Sequence, residues 1–441
     1  MSITVTKSSA VIVAPSTSPA TTAPPPVQQH LKLSSFDKAL AFSPFTSFLV
    51  FDHAIPEPAE TVRKALSRAL VPYFALAGRL TRGPGGDGDD LRISCTGEGV
   101  SFVSASASCS LDDVKLFDLP FAALLRELAV DYPEESCRPS DPLVLMQVTE
   151  FSCGGYVVGT AWNHAVADGT GIAQFLGAVG DFARGLPQPC VFPVSCGDDS
   201  LPELPPLATF IEKTMVSLEP QGFVYQDITV PWKVIDRIRS EFASGDDSCT
   251  VYEAVVAVLW QCRTRVVMSD PDAAAPLVFA ANVRGLVGAR SGYFGNCITS
   301  AVIVPRCGEV ASGGIGDVVK LIKRAKKGIP DQFRGVAIDG GGDSVQRDDA
   351  LFGYNAFYVS SWRNLGFDVA DMGGGRPARV MCHVELTAVP NCMACLPCTG
   401  KDGANVLALC VREEHVGVFL AELDKWAWHD GRPQRYFAWG R

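Results

Sequence analysis

The sequence has little of several features that would assign it to other protein classes. No apolar stretch approaches the roughly 20 residues that a membrane-spanning helix needs. No long run of Lys and Arg supplies the electrostatic footprint of a nucleic-acid-binding protein. The 48 acidic residues outnumber the 38 basic ones, for a net charge of -10. This acidity does not exclude a phosphate-bearing ligand, because a local basic pocket is enough to hold one.

Signs of secretion are also few. The N-terminal segment MSITVTKSSAVIVAPS contains a single Lys and no apolar run as long as the core of a secretory signal. The 15 cysteines are an odd number, scattered along 441 residues. We expect them to be small buried thiols in a reducing compartment rather than a disulfide framework. The sequence therefore predicts a cytosolic protein.

The hydrophobic pattern predicts a mixed α/β protein built from two halves. Helices are predicted at 60–71, 170–184, 250–266 and 416–426. Strands are predicted at 3–13, 91–94, 100–104, 143–151, 156–162, 277–283, 298–304, 355–361, 378–388 and 405–411. Many prolines and little periodicity at 186–225 indicate a long crossover loop. We therefore place one domain at 1–185 and the other at 226–441.

A histidine and an aspartate lie in the segment Asn-His-Ala-Val-Ala-Asp-Gly at 163–169, between a predicted buried strand and a predicted helix. A neutral imidazole there can accept a proton near physiological pH, which makes His164 a candidate general base. Asp168 could orient a ring or brace the turn, and Gly169 would let the backbone bend without a Cβ clash. The bare His-x-x-x-Asp spacing is weak, so a structural histidine is the competing interpretation.

The segment at 163–169 is easier to interpret together with other motifs found along the chain. They are 33–37 (LSSFD), 77–80 (AGRL), 147–155 (QVTEFSCGG), 164–169 (HAVADG), 292–296 (GYFGN), 361–365 (SWRNL) and 371–377 (DMGGGRP). Together they strongly resemble the BAHD acyltransferases, the plant enzymes that acylate hydroxyls and amines from acyl-CoA. The sequence is similar in particular to hydroxycinnamoyl, benzoyl and acetyl transferases.

The resemblance implies two chloramphenicol-acetyltransferase-like domains with an active-site tunnel between them. It implies acyl-CoA as a co-substrate, a small alcohol or amine as acceptor, no permanently bound cofactor, and a monomer. His164 would take the acceptor's proton during attack on the thioester, while Asp168 would turn away and hold the loop. Ser360 and Trp362 match positions with a hydroxyl and an indole N–H at the reaction centre. Their competing interpretations are a strand residue and a buried core indole.

The segment 371–377 departs from the Asp-Phe-Gly-Trp-Gly pattern that the resemblance leads us to expect. Met372 and Gly374 replace the usual Phe and Trp, while Asp371, Gly373 and Gly375 keep the structural motif. The resemblance implies an ion pair between Asp371 and Arg284. Loss of two aromatic side chains is expected to lower local stability more than to affect chemistry.

Several alternatives stay open from the sequence. An aromatic acyl donor is favoured, and an acetyl-CoA-dependent O-acetyltransferase or a non-catalytic ligand-binding homologue is the alternative. A condensation-type enzyme is disfavoured, because Asn163 stands where a second histidine is usual. A cluster formed by Cys382, His383 and the cysteines at 392, 395 and 398 lacks a second distant knuckle, so no metal site is predicted. Arg347 and the lysines at 320, 323, 326 and 327 are expected to be solvated surface residues.

Overall fold

Two β-sheets form the frame of the protein in a computed structural model, which describes residues 3–17, 30–83, 90–118, 121–132, 137–195, 201–242, 248–334, 350–382 and 387–427. The strands are β1 Val5–Lys7, β2 Val11–Val13, β3 His30–Lys32, β4 Pro44–Phe51, β5 Arg79–Arg82, β6 Leu91–Ser94, β7 Val100–Ala107, β8 Val144–Glu150, β9 Tyr156–Asn163, β10 Gln226–Pro231, β11 Leu277–Asn282, β12 Ile298–Ile303, β13 Phe357–Ser361, β14 Arg379–Cys382, β15 Asn391–Leu396 and β16 Gly403–Leu409. The α-helices are α1 Ser35–Ala39, α2 Pro58–Ala69, α3 Gly169–Ala183, α4 Pro206–Ser217, α5 Trp232–Phe242, α6 Val251–Val267, α7 Arg284–Val287, α8 Cys307–Ala311, α9 Ile315–Lys327, α10 Ile329–Gln332 and α11 Glu413–Ala427.

The first sheet has seven strands, in the order β1-β7-β8-β9-β4-β14, and β2 also pairs with β7. All eight residues of β9 are buried, as its continuous apolar run predicted. The predicted helix that follows is α3, whose described bounds differ from the prediction by one residue at each end. The predicted strand at 3–13 is two short strands, both antiparallel to β7. A separate three-stranded sheet has the order β3-β6-β5.

The second sheet has six strands, in the order β10-β16-β15-β13-β11-β12. Helix α6 packs against one face of it, and residues 253–264 of this helix are all buried. Thr250 caps the helix by accepting from the backbone N–H of Glu253, whose carboxylate accepts in return from Thr250. No helix in the described part of the chain is both long and apolar enough to span a bilayer.

The segment that connects the two halves, and the separation between the halves, both differ from the prediction. Residues 206–217, expected to lie in a loop, form helix α4, which begins with Pro206 in its first turn. Its exposed Phe210 and Val216 blur the apolar stripe that would have revealed it. Strand β14, from the second half, pairs antiparallel with β4 of the first sheet. The two sheets are therefore not separated completely along the sequence, and the halves are joined through shared structure.

Candidate active site

His164 stands where β9 ends and the turn into α3 begins. Its backbone N–H donates to the carbonyl of Ser43 at 2.8 Å. The side-chain oxygen of Asn163 accepts from the N–H groups of Phe42 (3.2 Å) and Ala165 (3.0 Å), and the indole of Trp162 donates to the Ala167 carbonyl at 2.9 Å. The turn is thus fixed on both sides, so the position of the His164 backbone is set by the sheet.

Asn296 sets the orientation and the tautomer of the His164 ring. Its side-chain oxygen lies 3.0 Å from Nδ1 of His164, while its amide nitrogen donates to the His164 carbonyl (2.7 Å) and to Oδ1 of Asp37 (2.9 Å). A carbonyl and a carboxylate only accept, so a flipped amide would set oxygen against oxygen. Nδ1 therefore carries the hydrogen, and the lone pair of neutral His164 lies on Nε2.

Asp37 in turn holds Asn296. Its carboxylate accepts from the backbone N–H of Asn296 (2.9 Å) and from the hydroxyl (2.6 Å) and backbone N–H (3.1 Å) of Ser34. Complete burial raises the pKa of Asp37, although these hydrogen bonds oppose the shift. A chain of hydrogen bonds thus runs from helix α1 through Asn296, just before β12, to the imidazole.

His164 lies deep inside the protein, and yet its side chain keeps some accessible surface. Burial lowers its pKa from the ordinary value, and the nearby charge of Asp168 and the hydrogen bond to Asn296 offset only part of this. The ring is therefore neutral at physiological pH. A deep imidazole with a free Nε2 and remaining access is suited to accept a proton from a bound molecule.

Aromatic rings line the neighbourhood of His164. Phe45 meets the imidazole edge-on, with ring centroids 6.0 Å apart, and lies 5.8 Å from the ring of Trp362. Trp362 is 4% exposed and stacks on Phe367 at 4.7 Å. Phe45 thus lies between the rings of His164 and Trp362 and contacts both. Ser360 lies two residues earlier, on β13 in register with Met393, and its role as an oxyanion donor stays a prediction.

Asp168 points away from the His164 ring and binds Arg284. The two side chains form a bidentate ion pair, with both N–O distances at 2.8 Å. Asp168 also caps α3 by accepting from the N–H of Gly171 (3.0 Å), and it accepts from the N–H of Cys297 (3.0 Å). The expected pair between Arg284 and Asp371 is therefore wrong, because the Arg284 guanidinium is already engaged on the other side of the turn.

Asp371 closes its own loop. Its Oδ1 accepts from the N–H groups of Gly373 (2.8 Å) and Gly375 (2.9 Å), and Arg184 donates to its backbone carbonyl at 2.6 Å. Burial raises the pKa of Asp371, but these N–H donors and the charge of Arg184 outweigh it and lower the pKa overall. Gly373 and Gly375 have φ of 116° and 130°, a region that only glycine enters without strain.

The two substituted positions of this loop are well packed. Met372 is completely buried in the core of the first sheet. A Cβ at Gly374 would lie 2.2 Å from Cδ2 of His53, whose ring is held edge-on by Phe51 and Tyr156. In this chain His53 occupies the space in front of Gly374, and the lower local stability expected from the two replacements stays a prediction.

Two glycines at the start of α3 lie close to other segments. Gly169 is the first residue of the helix, so its backbone is helical rather than specially bent. A Cβ at Gly169 would stand 2.7 Å from Cδ1 of Leu365, at the end of a flexible side chain, whereas one at Gly171 would stand 1.8 Å from the backbone carbonyl oxygen of Phe294. The close approach of backbone thus requires glycine at 171, and the expected bend at Gly169 is not what the helix shows.

The cysteines considered for metal binding are divided between the two sheets, because Cys382 ends β14 of the first sheet. Cys392 and Cys395 are buried in β15, which pairs antiparallel with β16. Burial raises the pKa of the Cys395 thiol to about 11, so it is protonated. Across the described ranges, no three His, Cys, Asp or Glu side chains are grouped as a metal centre requires. His383 and Arg347 lie outside the described residues.

The lysines predicted to lie on a surface helix are on α9. Their partners are Asp317 for Lys320 (2.8 Å), the carbonyl of Ser248 for Lys323 (2.6 Å) and Glu253 for Lys326 (2.6 Å). Lys320, Lys323, Arg324 and Lys327 line an open depression of about 220 Å³.

Comparison with known proteins decides the family. The chain matches the model of the family described as "Transferase family" over residues 1–425. It is 39% identical over 447 residues to "Acyl transferase 15" of Oryza sativa subsp. japonica, covering 96% of this chain and 99% of that protein. The chain belongs to the BAHD acyltransferase family. The resemblance of its motifs is thereby confirmed, and the protein is an acyltransferase with acyl-CoA as co-substrate.

Two further comparisons place this BAHD acyltransferase among relatives of known name and structure. It is 31% identical over 448 residues to "Myricetin 3-O-glucosyl 1,2-rhamnoside 6'-O-caffeoyltransferase AT1" of Crocosmia x crocosmiiflora, covering 96% of this chain and 99% of that protein. Vinorine synthase superposes with a TM-score of 0.69 at 18% identity, covering 96% of this chain and 98% of that chain. The predicted two-domain, mixed α/β fold is confirmed.

Sequence reasoning missed the roles of Asp37, Asn296 and Phe45 at this site. The first two lie in segments that were recognised, LSSFD and GYFGN, but their spacing along the chain gives no sign that they meet. The capping-box pattern of Ser34 and Asp37 indicates only where a helix begins. That Asp37 is completely buried, and so needs a further donor, is known only from the structure. Nothing in the sequence around Phe45 indicates a contact with the imidazole.

Proposed function

We propose that this BAHD acyltransferase moves an aromatic acyl group, of the hydroxycinnamoyl or benzoyl type, from acyl-CoA to a hydroxyl or amine of a small specialised metabolite. His164 is the general base. The observation that supports this role is a deeply buried, neutral imidazole whose Nδ1–H is bound by Asn296, so that the lone pair lies on Nε2 and can accept a proton. The aromatic donor is supported by the name of the caffeoyltransferase relative and by the ring of Phe45 beside His164, which also contacts Trp362.

The reaction proceeds without a covalent enzyme intermediate. Donor and acceptor approach from opposite ends of a tunnel between the two domains. Nε2 of His164 takes the proton of the acceptor as its oxygen or nitrogen attacks the thioester carbonyl. The tetrahedral intermediate collapses, the carbon–sulfur bond breaks, and the protonated ring returns the proton to the CoA thiolate. The hydrogen bond from Nδ1–H to Asn296 stabilises the imidazolium in between.

Two groups are proposed to stabilise the oxyanion of the intermediate. The Ser360 hydroxyl and the Trp362 indole N–H lie on and just after β13, on the segment that leads to the aromatic cluster. Donors of this kind at a developing negative charge contribute strongly to catalysis. Asp168 is proposed to act only in holding the turn, because its carboxylate is occupied by Arg284 and by the backbone N–H groups of Gly171 and Cys297.

The test is release of free CoA, with mass spectrometry of the products. Purified protein is offered p-coumaroyl-CoA, benzoyl-CoA and acetyl-CoA with a panel of alcohols and amines. His164→Ala is expected to lose on the order of 10²-fold or more of kcat. His415→Ala is the matched control, since its ring is also partly buried and bound to one partner, Tyr354. Undiminished turnover in His164→Ala would remove the assigned base.

The same assay separates the alternatives. Preference for acetyl-CoA would make the protein an O-acetyltransferase of the same family, and no CoA release from any donor would support a non-catalytic ligand-binding homologue. A monomeric state and a cytosolic location are proposed as well. Light scattering of the purified protein and imaging of a fluorescent fusion check these two points.

A further inference from the structure

Helix α4 carries an acidic side chain on its buried side. Residues 208, 211, 212 and 215 share one face at helical spacing. Ala208 and Ile211 are buried there, and Met215 packs against the sheet beside Val302 and Tyr358. Glu212 lies within this apolar stripe. A carboxylate is rarely placed so deeply without a partner, because burial of an unpaired charge is costly.

Glu212 has little to compensate its charge. Its Oε1 accepts from the Ser300 hydroxyl at 3.1 Å, and no Lys, Arg or His among the described residues forms an ion pair with it. Burial raises its pKa, and only the Ser300 hydroxyl opposes this. The side chain is deep and yet keeps some accessible surface. Glu212 is therefore not sealed completely from solvent.

Glu212 reaches the face of the second sheet that carries Ser360. Ser300 is paired with Ala280 across β12 and β11. The parallel register of β11 and β13 sets Phe279 beside Val359, and hence Ala280 beside Ser360. Two strand spacings place Ser300 roughly 10 Å from Ser360. Along the chain, Ser300 follows Asn296 by four residues, which is about 13 Å at most.

We propose that Glu212 binds a protonated amine at the end of the acceptor that is remote from the acylated group. The inference rests on the proposed function, in which His164 and Ser360 mark the reaction centre. The acyl-CoA donor carries several phosphates, so a deep carboxylate would repel it and belongs with the acceptor. A cation in contact with Glu212 compensates a buried charge for which no described residue supplies an ion pair. The preferred acceptor is thus an amino alcohol or diamine.

The distance sets the expected length of that acceptor. Two or three strand spacings correspond to roughly eight methylene groups in an extended chain, at about 1.2 Å per bond. Matched probes follow from this. The first pair is 1,8-diaminooctane and octylamine, and the second is 8-amino-1-octanol and 1-octanol. Within each pair the reacting group is the same and only the remote ammonium is lost.

The experiment compares kcat and KM for both pairs, with the acyl-CoA that gives the highest turnover. Wild type is expected to favour the ammonium-bearing member at least tenfold in kcat/KM, through KM, as a hydrogen bond to a charged group implies. Glu212→Gln should abolish this preference and leave octylamine and 1-octanol unchanged. The exposed Glu219, just beyond α4, supplies the matched control Glu219→Gln, which should keep the preference.

Further results separate a binding role from a structural one. Glu212→Asp, which shortens the side chain by one methylene, should shift the optimum to a longer diamine; this variant also serves if Glu212→Gln does not fold. An equal rise in KM for all four acceptors, or no preference in wild type, would overturn the inference. In that case CoA release with octylamine or 1-octanol would still support the proposed function. Absence of CoA release with every acceptor would refute the proposed function instead.

Discussion

Replacement of Asn296 by Ala tests the link between the fold and the base. The change removes the acceptor that holds Nδ1–H of His164 at 3.0 Å, together with one of the donors to Asp37. In the transition state the ring is an imidazolium, so the lost hydrogen bond is a charge-assisted one, worth about 1.5–3 kcal/mol. At 1.4 kcal/mol for each factor of ten, kcat/KM should fall by about 10- to 150-fold.

The substitution should also move the pH profile. The hydrogen bond to Asn296 raises the pKa of His164, because Nδ1–H is a better donor when the ring is charged. Its loss lowers the pKa further. Since the neutral ring is the active form, the acid limb of kcat/KM should shift to lower pH in Asn296→Ala. The assay is initial-rate CoA release between about pH 4.5 and 8, roughly the range in which an imidazole titrates.

Asn405→Ala is a matched control for stability. Asn405 is also buried, and its amide donates to a buried carboxylate, that of Asp227, at 2.6 Å. Each variant should lose about 1–3 kcal/mol of unfolding free energy, but only Asn296→Ala should lose activity per folded molecule. Equal kcat/KM in the two variants, or an unmoved acid limb in Asn296→Ala, would refute the positioning role of Asn296.

Three further predictions follow from the same geometry. In wild type, kcat/KM should stay level from pH 8 to pH 7 and fall only as the pH drops through the lowered pKa of His164; a midpoint above the ordinary value of about 6.5 would contradict this. Gly171→Ala should lower the melting temperature sharply, because its Cβ would lie 1.8 Å from a backbone oxygen, whereas Gly177→Ala, with open space around it in the same helix, should stabilise by about 0.5–1 kcal/mol. Gly374→Trp should lower the free energy of unfolding by about 1–3 kcal/mol through a clash with His53. The added change His53→Ala should recover part of that loss, as measured by thermal unfolding. If the double variant recovers nothing, the His53 ring does not occupy the space in front of Gly374.

Much of the site could be predicted because its local structure depends on neighbouring residues. The continuous apolar run at 156–162 predicts a buried strand, and the helical pattern at 170–184 predicts the helix that Asp168 caps. His164 is therefore placed between them by short-range signals alone. Helix α4 escaped prediction because its exposed Phe210 and Val216 break the stripe on which such predictions depend.

The partners of the side chains in these motifs could not be predicted from the sequence in the same way. The sequence does not show whether Asp168 or Asp371 pairs with Arg284, and the expected pair of Arg284 with Asp371 was wrong. The observed pair joins Arg284 to Asp168 across 116 positions of the chain. Which carboxylate forms the ion pair with Arg284 depends on the topology that sets α7 beside the N-terminus of α3. Similarly, only the packed structure shows that His53 occupies the space in front of Gly374.

Residue types and local periodicity were enough to assign the family, to propose His164 as the base and to predict the elements on either side of it. Only the folded structure shows which nitrogen of His164 carries the hydrogen, which acid binds Arg284, and that Glu212 lies on the face of the sheet that carries Ser360. Each of these is a contact between segments far apart in the chain. Such contacts are chosen by packing and hydrogen-bond satisfaction in the folded protein, and no local pattern encodes them.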